Sequence, residues 1–318
     1  MYPLLLKPTV KDYLWGGTRL KTEFGFETDK EIAAEAWVIS THKDGEDIVT
    51  NGEFKGKTLT EVLKIWGNDA IGERAAKFPY FPILIKLIDA KDKLSVQVHP
   101  DDKYALEKEG EFGKTEMWYV VDCDEGAELI YGFKKEVTKA EFEERIKDNT
   151  LSEICNYVPV HKGDVFFIEA GTLHAIGGGI LIAEVQQNSN TTYRVSDYGR
   201  LGADGKPREL HIEKALDVTK RTIPTIAYGS VGEIETTEFG QLRKLATCDL
   251  FTSELLSLDG ETEICCKDSF VSLLVIDGEI KVSYEDNSFF AEKGASIFVP
   301  AGFNIKVLGK AEILYSRV

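Results

Sequence analysis

Residues that usually carry redox or metal chemistry are scarce in this chain. Its 318 residues include five histidines, five cysteines and two methionines. The cysteines, Cys123, Cys155, Cys248, Cys265 and Cys266, are odd in number and nowhere form CxxC. That argues against a zinc ribbon, a thioredoxin-like redox pair and a complete disulfide framework, and leaves buried free thiols in a reducing compartment as the expectation. No run of about 18 apolar residues occurs, so no membrane-spanning helix is expected. The opening stretch MYPLLLKPTV has too short an apolar run, and no small-residue cleavage site, for a secretory signal. Cations are also outnumbered: 38 Lys and Arg face 54 Asp and Glu, a net charge of −16. Such a surface repels nucleic acid and fits a cytoplasmic protein with neither a nucleic-acid nor a membrane partner. An anionic substrate would have to find a local basic site.

What is present is mainly strand and turn. Strand signals dominate residues 80–99, 115–133, 156–195 and 240 to the end. Four segments have helical spacing: 58–67, 101–110, 138–148, where Thr138 and Glu141 form a capping-box pair, and 211–220. VIDGEIKV (275–282) predicts a hairpin about Asp277-Gly278. No low-complexity linker appears, and GEIETTEFG (232–240) is the best boundary candidate. An internal repeat pairs GDVFFIEAGTLHAI (163–176) with GASIFVPAGFNIKV (294–307). Each copy opens on glycine, returns to Ala-Gly and ends on one decisive residue, His174 in the first and Ile305 in the second.

Three strand segments offer ligand-type side chains. In LSVQVHPDD (94–102), period two puts Leu94, Val96 and Val98 on one face and Ser95, Gln97 and His99 on the other. In GKTEMWYVV (113–121), Lys114, Glu116 and Trp118 share a face. His174 follows the glycine turn of AGTLH. Two imidazoles, a carboxylate and an amide oxygen, Gln97, His99, Glu116 and His174, fit a Zn²⁺ site with coordination left for water or substrate. His42, His161 and His211 lack such partners.

GDVFFIEAGTLHAIGG resembles the second cupin motif, G-x5-P-x-G-x2-H-x3-N, with Glu169 in place of the proline and Gly178 in place of the asparagine. With LSVQVHPDD, GKTEMWYV, WGG, EAWVIS and AGTLHAIGGGILIAEVQQNSNTTYRVSDYGR, the chain from about residue 3 to 220 resembles the bacterial short form of mannose-6-phosphate isomerase. The resemblance implies a mainly β fold of two cupin-type jelly-roll β-barrels with a few helical insertions. A metal-binding domain would span residues 1–235 and a degenerate copy residues 236–318. It implies one Zn²⁺ per chain on Gln97, His99, Glu116 and His174, and a sugar phosphate as substrate of a monomer or homodimer. Arg194 matches the family's catalytic arginine. Lys114 and Glu184, which stands ten residues before Arg194, are the acid/base candidates. Lys86, Ser95 and Arg200 resemble phosphate-contacting positions, and Lys86 interrupts the apolar run PILIKLI. Two other readings stand beside this one: a metal-dependent cupin oxygenase, since two His and one carboxylate also suit Fe(II), and a non-catalytic sugar-binding cupin.

Overall fold

The computed structural model describes residues 1–202 and 205–318. Three sheets dominate it. A six-stranded sheet includes the strands Glu35–Ile39, Ile83–Ala90, Ile180–Gln187, Glu116–Cys123 and Val165–Ile168. A five-stranded sheet includes Glu128–Phe133, His174–Ala175, Val96–Val98 and Tyr193–Ser196. The third, nine-stranded, is built mostly from residues beyond 233, with Leu4–Lys7 and Ile48–Val49 added at one side. Leu4–Lys7 pairs antiparallel with Ser296–Val299, so the start of the chain is tied into the C-terminal sheet.

The six-stranded sheet is buried on both faces, which is why Ile83–Ala90 and Ile180–Gln187 read as nearly continuous apolar runs. Ile83, Ile85 and Leu87, with Ala183 and Val185, join a core that reaches Leu255, Leu274, Phe298 and Leu314 of the nine-stranded sheet. Each Ile, Leu, Val or Phe side chain among these contributes about 1.5–3 kcal/mol when fully buried. The alternate residues face the five-stranded sheet, where Ile88, Ile182, Trp118 and Phe166 pack with Leu129 and Tyr131. Lys86 and Glu184 lie on this inner face, each directly across from the other in the strand register.

All four expected helices form. Residues Leu59–Trp66 carry a complete capping box from Thr58 to Glu61. Asp101 caps Asp102–Lys108, and Thr138 caps Lys139–Lys147 by accepting from the Glu141 amide. The reciprocal half of that box is missing because the Glu141 carboxylate accepts from Lys135 instead. Ile212–Val218 is the fourth. No helix among the described residues is long and apolar enough to cross a membrane.

Two expectations need correction. Asp277-Gly278 is not a hairpin turn: one strand runs from Val271 to Tyr284, with a bulge between Val275 and Asp277. Gly278 has φ +81°, and a Cβ there would stand 2.2 Å from the Lys310 carbonyl oxygen, so the glycine serves the bulge and the close approach of the next strand. The chain reverses later, where Tyr284 pairs with Asn287. The cysteines are all free, but only Cys155 is buried, and Cys265 is exposed.

The repeat is structural. Gly163 and Gly294 have φ of +89° and +90°, and each precedes a short strand, Val165–Ile168 or Ser296–Val299. Gly171 and Gly302, also at positive φ, turn the chain into strands that open on His174 and Ile305. His174 is 0% exposed and Ile305 1%.

Candidate metal centre and cavity

The site lies in the gap between the five- and six-stranded sheets. On the first sheet, strand pairing sets His174 beside Gln97 and Gln97 beside Arg194 in one cross-strand row. On the facing sheet, Lys86 pairs with Glu184 and Glu184 with Trp118, while Glu116 lies opposite Gln186 one step along. The alternation that buries Met117 and Tyr119 in the core between the six- and nine-stranded sheets turns Lys114, Glu116 and Trp118 into the gap.

His99, Glu116 and His174 converge, with ligand atoms all within 4.8 Å of one another. Glu116 Oε2 is 3.6 Å from His99 Nε2, and Glu116 Oε1 is 3.5 Å from His174 Nε2. Each imidazole is oriented through its other nitrogen. His99 Nδ1 donates to the Thr191 carbonyl at 3.0 Å, and His174 Nδ1 to the Thr172 carbonyl at 2.8 Å. That fixes the tautomer whose Nε2 lone pair points to Glu116, the usual arrangement for a metal-binding histidine. Burial holds both rings neutral: it lowers His99 well below the ordinary range, helped by Lys114 and His174, and lowers His174 to about 4. Gln97, half-buried, has its amide nitrogen 3.3 Å from His174 Nε2.

A fit test for a cation comes from Glu116. Its side chain is 0% exposed, and neither carboxylate oxygen accepts a well-aligned hydrogen bond, although Lys114 Nζ is 2.9 Å from Oε2. Burial, with repulsion from Glu184, pushes Glu116 up to about 7. A buried carboxylate so poorly compensated, facing two Nε2 lone pairs, is a donor set suited to a divalent cation.

A network of buried charges adjoins this triad. Lys114 Nζ lies 3.3 Å from His99 Nε2 and 3.7 Å from Glu184 Oε1. Lys86 Nζ is 3.1 Å from Glu184 Oε1 and 3.8 Å from Glu35 Oε2. Trp118 Nε1 donates to Glu184 Oε2 at 2.9 Å, and Trp37 Nε1 to Glu35 Oε2 at 2.8 Å. Burial raises the Glu184 carboxyl, but Lys114 and Lys86 outweigh it and hold the group down at about 2. Glu184 is therefore ionised at neutral pH.

Glu35, Lys86, Lys114 and Glu184 line a cavity of about 280 Å³, with Ser95, Gln97, Arg194 and Arg208 also in its wall. Ser95 Oγ lies 3.5 Å from Gln97 Oε1. Arg194 is half-buried, donates from Nη1 to the Glu209 carbonyl at 2.9 Å, and leaves a buried Nε without a partner. Of the residues singled out in the sequence, His99, Glu116 and His174 form the buried triad beside the cavity rather than its wall, and Arg200 belongs to neither. Its guanidinium pairs with Asp197 and lies over the Tyr198 ring. Two charged lining residues escaped sequence reasoning. Glu35 sits in EAWVIS as one carboxylate of a short strand, and Arg208 sits in a loop with no periodic pattern; only the alternation at Glu35 could have placed it on the inner face. His42 and His211 lie outside this cavity, and His161 is exposed.

The sheets and the triad define a cupin-type β protein with a metal-binding donor set. Residues 4–155 match the family described as phosphomannose isomerase type I, catalytic domain, and residues 241–318 match mannose-6-phosphate isomerase, cupin domain. A mannose-6-phosphate isomerase of Bacillus subtilis is 38% identical over 99% of both chains. One of Streptococcus mutans is 38% identical over 94% of this chain and 92% of its own. The crystal structure of the mannose 6-phosphate isomerase from Bacillus subtilis, 36% identical, superposes with a TM-score of 0.91 over 100% of both chains. The chain belongs to the type I mannose-6-phosphate isomerase family, a family of enzymes.

Proposed function

We propose that the protein is a zinc-dependent isomerase that interconverts mannose 6-phosphate and fructose 6-phosphate through an enediol(ate), acting in the cytoplasm. The observation that carries this reading is the buried Glu116, without a well-aligned hydrogen bond to either oxygen, facing His99 and His174, with the Lys114–Glu184 pair alongside. His99, Glu116 and His174 would hold the ion, with Gln97 as a neutral fourth ligand. A bound Zn²⁺ would supply Lewis acidity for the sugar oxygens. The division into a site-bearing unit, 1–235, and a C-terminal unit, 236–318, belongs to the same proposal.

The chain's own groups account for the rest. Isomerisation removes a proton at C2 of the aldose and delivers one to C1, while a second proton moves between the two oxygens. Glu184, ionised and 3.7 Å from the Lys114 ammonium, accepts the carbon-bound proton, and the same pair returns it. Lys114 balances the negative charge that develops nearby. The Arg194 fork, whose Nε has no partner, is available to the enediolate oxygens. The resemblance assigns the phosphate to Lys86, Ser95 and Arg200; Lys86 and Ser95 line the cavity.

The test is conversion of mannose 6-phosphate to fructose 6-phosphate by a zinc-loaded sample, with oxygen uptake followed in parallel. Conversion without oxygen uptake is expected. A folded, zinc-loaded protein that converts neither sugar phosphate would overturn the reading.

A further inference from the structure

A second cavity, of about 640 Å³, lies outside the site described above and, among the described residues, shares no wall residue with it. The helix Leu59–Trp66, the segment 78–81, the strand Thr41–His42 and Asn188, which follows the strand Ile180–Gln187, contribute to its wall. The lining is mainly apolar: Leu63 and Ile71 join the rings of Phe78, Tyr80 and Phe81. A cavity of this size and lining suits a small organic molecule. Aromatic walls favour a flat ring over an aliphatic chain. Of the charged groups in the wall, Lys43 and Glu111 pair with each other at 2.8 Å, and Lys64 is exposed. The interior therefore calls for a neutral ligand.

Three polar groups of this wall are short of partners. Asn188 is 4% exposed. Its Nδ2 donates to the Phe81 carbonyl at 2.9 Å and to Thr41 Oγ1 at 3.1 Å. A carbonyl only accepts, so this contact fixes which end of the amide is nitrogen. The other end, Oδ1, is buried and accepts no hydrogen bond from any described residue. Thr60 Oγ1 is buried and unpaired in the same way. His42 Nδ1 accepts from the Asp44 amide at 3.1 Å, so in the neutral ring Nε2 carries the proton. Burial lowers the His42 pKa and keeps the ring neutral. Its Nε2 stands 3.8 Å from Glu111 Oε1, beyond hydrogen-bond range. An unpaired buried acceptor is costly, and a ligand that brings a donor to it removes that cost.

We propose that this cavity binds a neutral, flat aromatic or heteroaromatic molecule carrying an N–H donor, as a primary amide or an amino-substituted ring does, and that the donor meets Asn188 Oδ1. The proposal stands apart from the isomerase reading above. The probes are benzamide and adenosine, with N,N-dimethylbenzamide as the control that lacks an N–H, each titrated into the full chain by calorimetry or ligand-observed NMR. Benzamide or adenosine is expected to bind with a Kd below about 1 mM, and the dimethyl control about tenfold more weakly than benzamide. Asn188→Leu should erase the preference for benzamide over the control. Because Asn188 also holds Thr41 and Phe81, that variant can fail to fold. Ile71→Trp, which fills the cavity from its apolar side, then carries the test: it should abolish binding and leave the kinetics of isomerisation unchanged. Melting curves identify the folded variants. Failure of both probes to bind the wild-type protein overturns the proposal. So does a control that binds as well as benzamide, binding that survives in folded Ile71→Trp, or competitive displacement of the probe by mannose 6-phosphate, which would place it in the other cavity.

Discussion

The hairpins at 163–175 and 294–305 share one backbone plan and end on opposite chemistry. Both place a positive-φ glycine before a short strand and another before the turn, eight residues on. Both bury the residue that opens the next strand. His174 then pairs across the sheet with Gln97, whereas Ile305 pairs with Ile264. Around His174 the gap between sheets holds buried lysines and carboxylates. Around Ile305 the interior is aliphatic, with Val271, Leu273, Ile297, Val307 and Ile313 in one cluster. The scaffold tolerates either filling because the hairpin's shape is set by its glycines and its strand register. What distinguishes a site from a core is whether neighbouring strands supply matching polar residues. Gln97, His99 and Glu116 do so in the first unit; their counterparts are absent from the second.

The comparison can be broken first at its polar end. His174→Ala removes one of two imidazoles and leaves Glu116 less compensated, so metal content should drop and turnover fall by at least about a hundredfold. Elemental analysis and an isomerase assay on the same sample check this, and full metal occupancy in the variant would separate the first hairpin from the site. Glu184→Gln keeps the shape but removes the proton acceptor. A kcat loss of about a hundredfold or more is expected, with metal retained. A variant whose KM alone rises would remove Glu184 from proton transfer. Arg194→Lys keeps the charge and loses the fork; kcat should fall about tenfold, equivalent to about 1.4 kcal/mol, with a smaller change in KM.

At the apolar end the effect moves from activity to stability. Ile305→Ala should destabilise the protein by about 2–5 kcal/mol in a denaturant titration, and the folded fraction should keep its metal and kinetics. Ile305→His sharpens the point with the smallest expected change in metal content, namely none, because Ile264 stands where Gln97 does in the first unit. A second equivalent of bound zinc in that variant would show that the hairpin alone makes the site.

The parts of this molecule legible in its sequence were those governed by alternation. Ser95, Gln97 and His99 could be set apart from Leu94, Val96 and Val98 because strand period is fixed, and both faces prove enclosed or half-enclosed. The His174 hairpin was legible because its glycines recur. Asp277-Gly278 misled because the same dipeptide serves a tight turn and a bulge, and only the pairing of Val271–Tyr284 along Ile305–Arg317 tells them apart. Arg200 and Arg208 were not separable in sequence. Both lie in or beside a loop, and which one reaches the cavity depends on how they share Asp197. Glu35 was hidden for a related reason: beyond Trp37 on its own strand, its value lies in Lys86, a contact made only when distant strands pair.

The central claim is that the gap between the five- and six-stranded sheets is a metal-dependent isomerase site. Metal content and mannose 6-phosphate isomerisation, measured on one sample before and after chelation and again after zinc is returned, test it most directly. The account predicts about one divalent ion per chain, activity lost with the ion and restored with it. Full activity in a sample verified to be metal-free would contradict it.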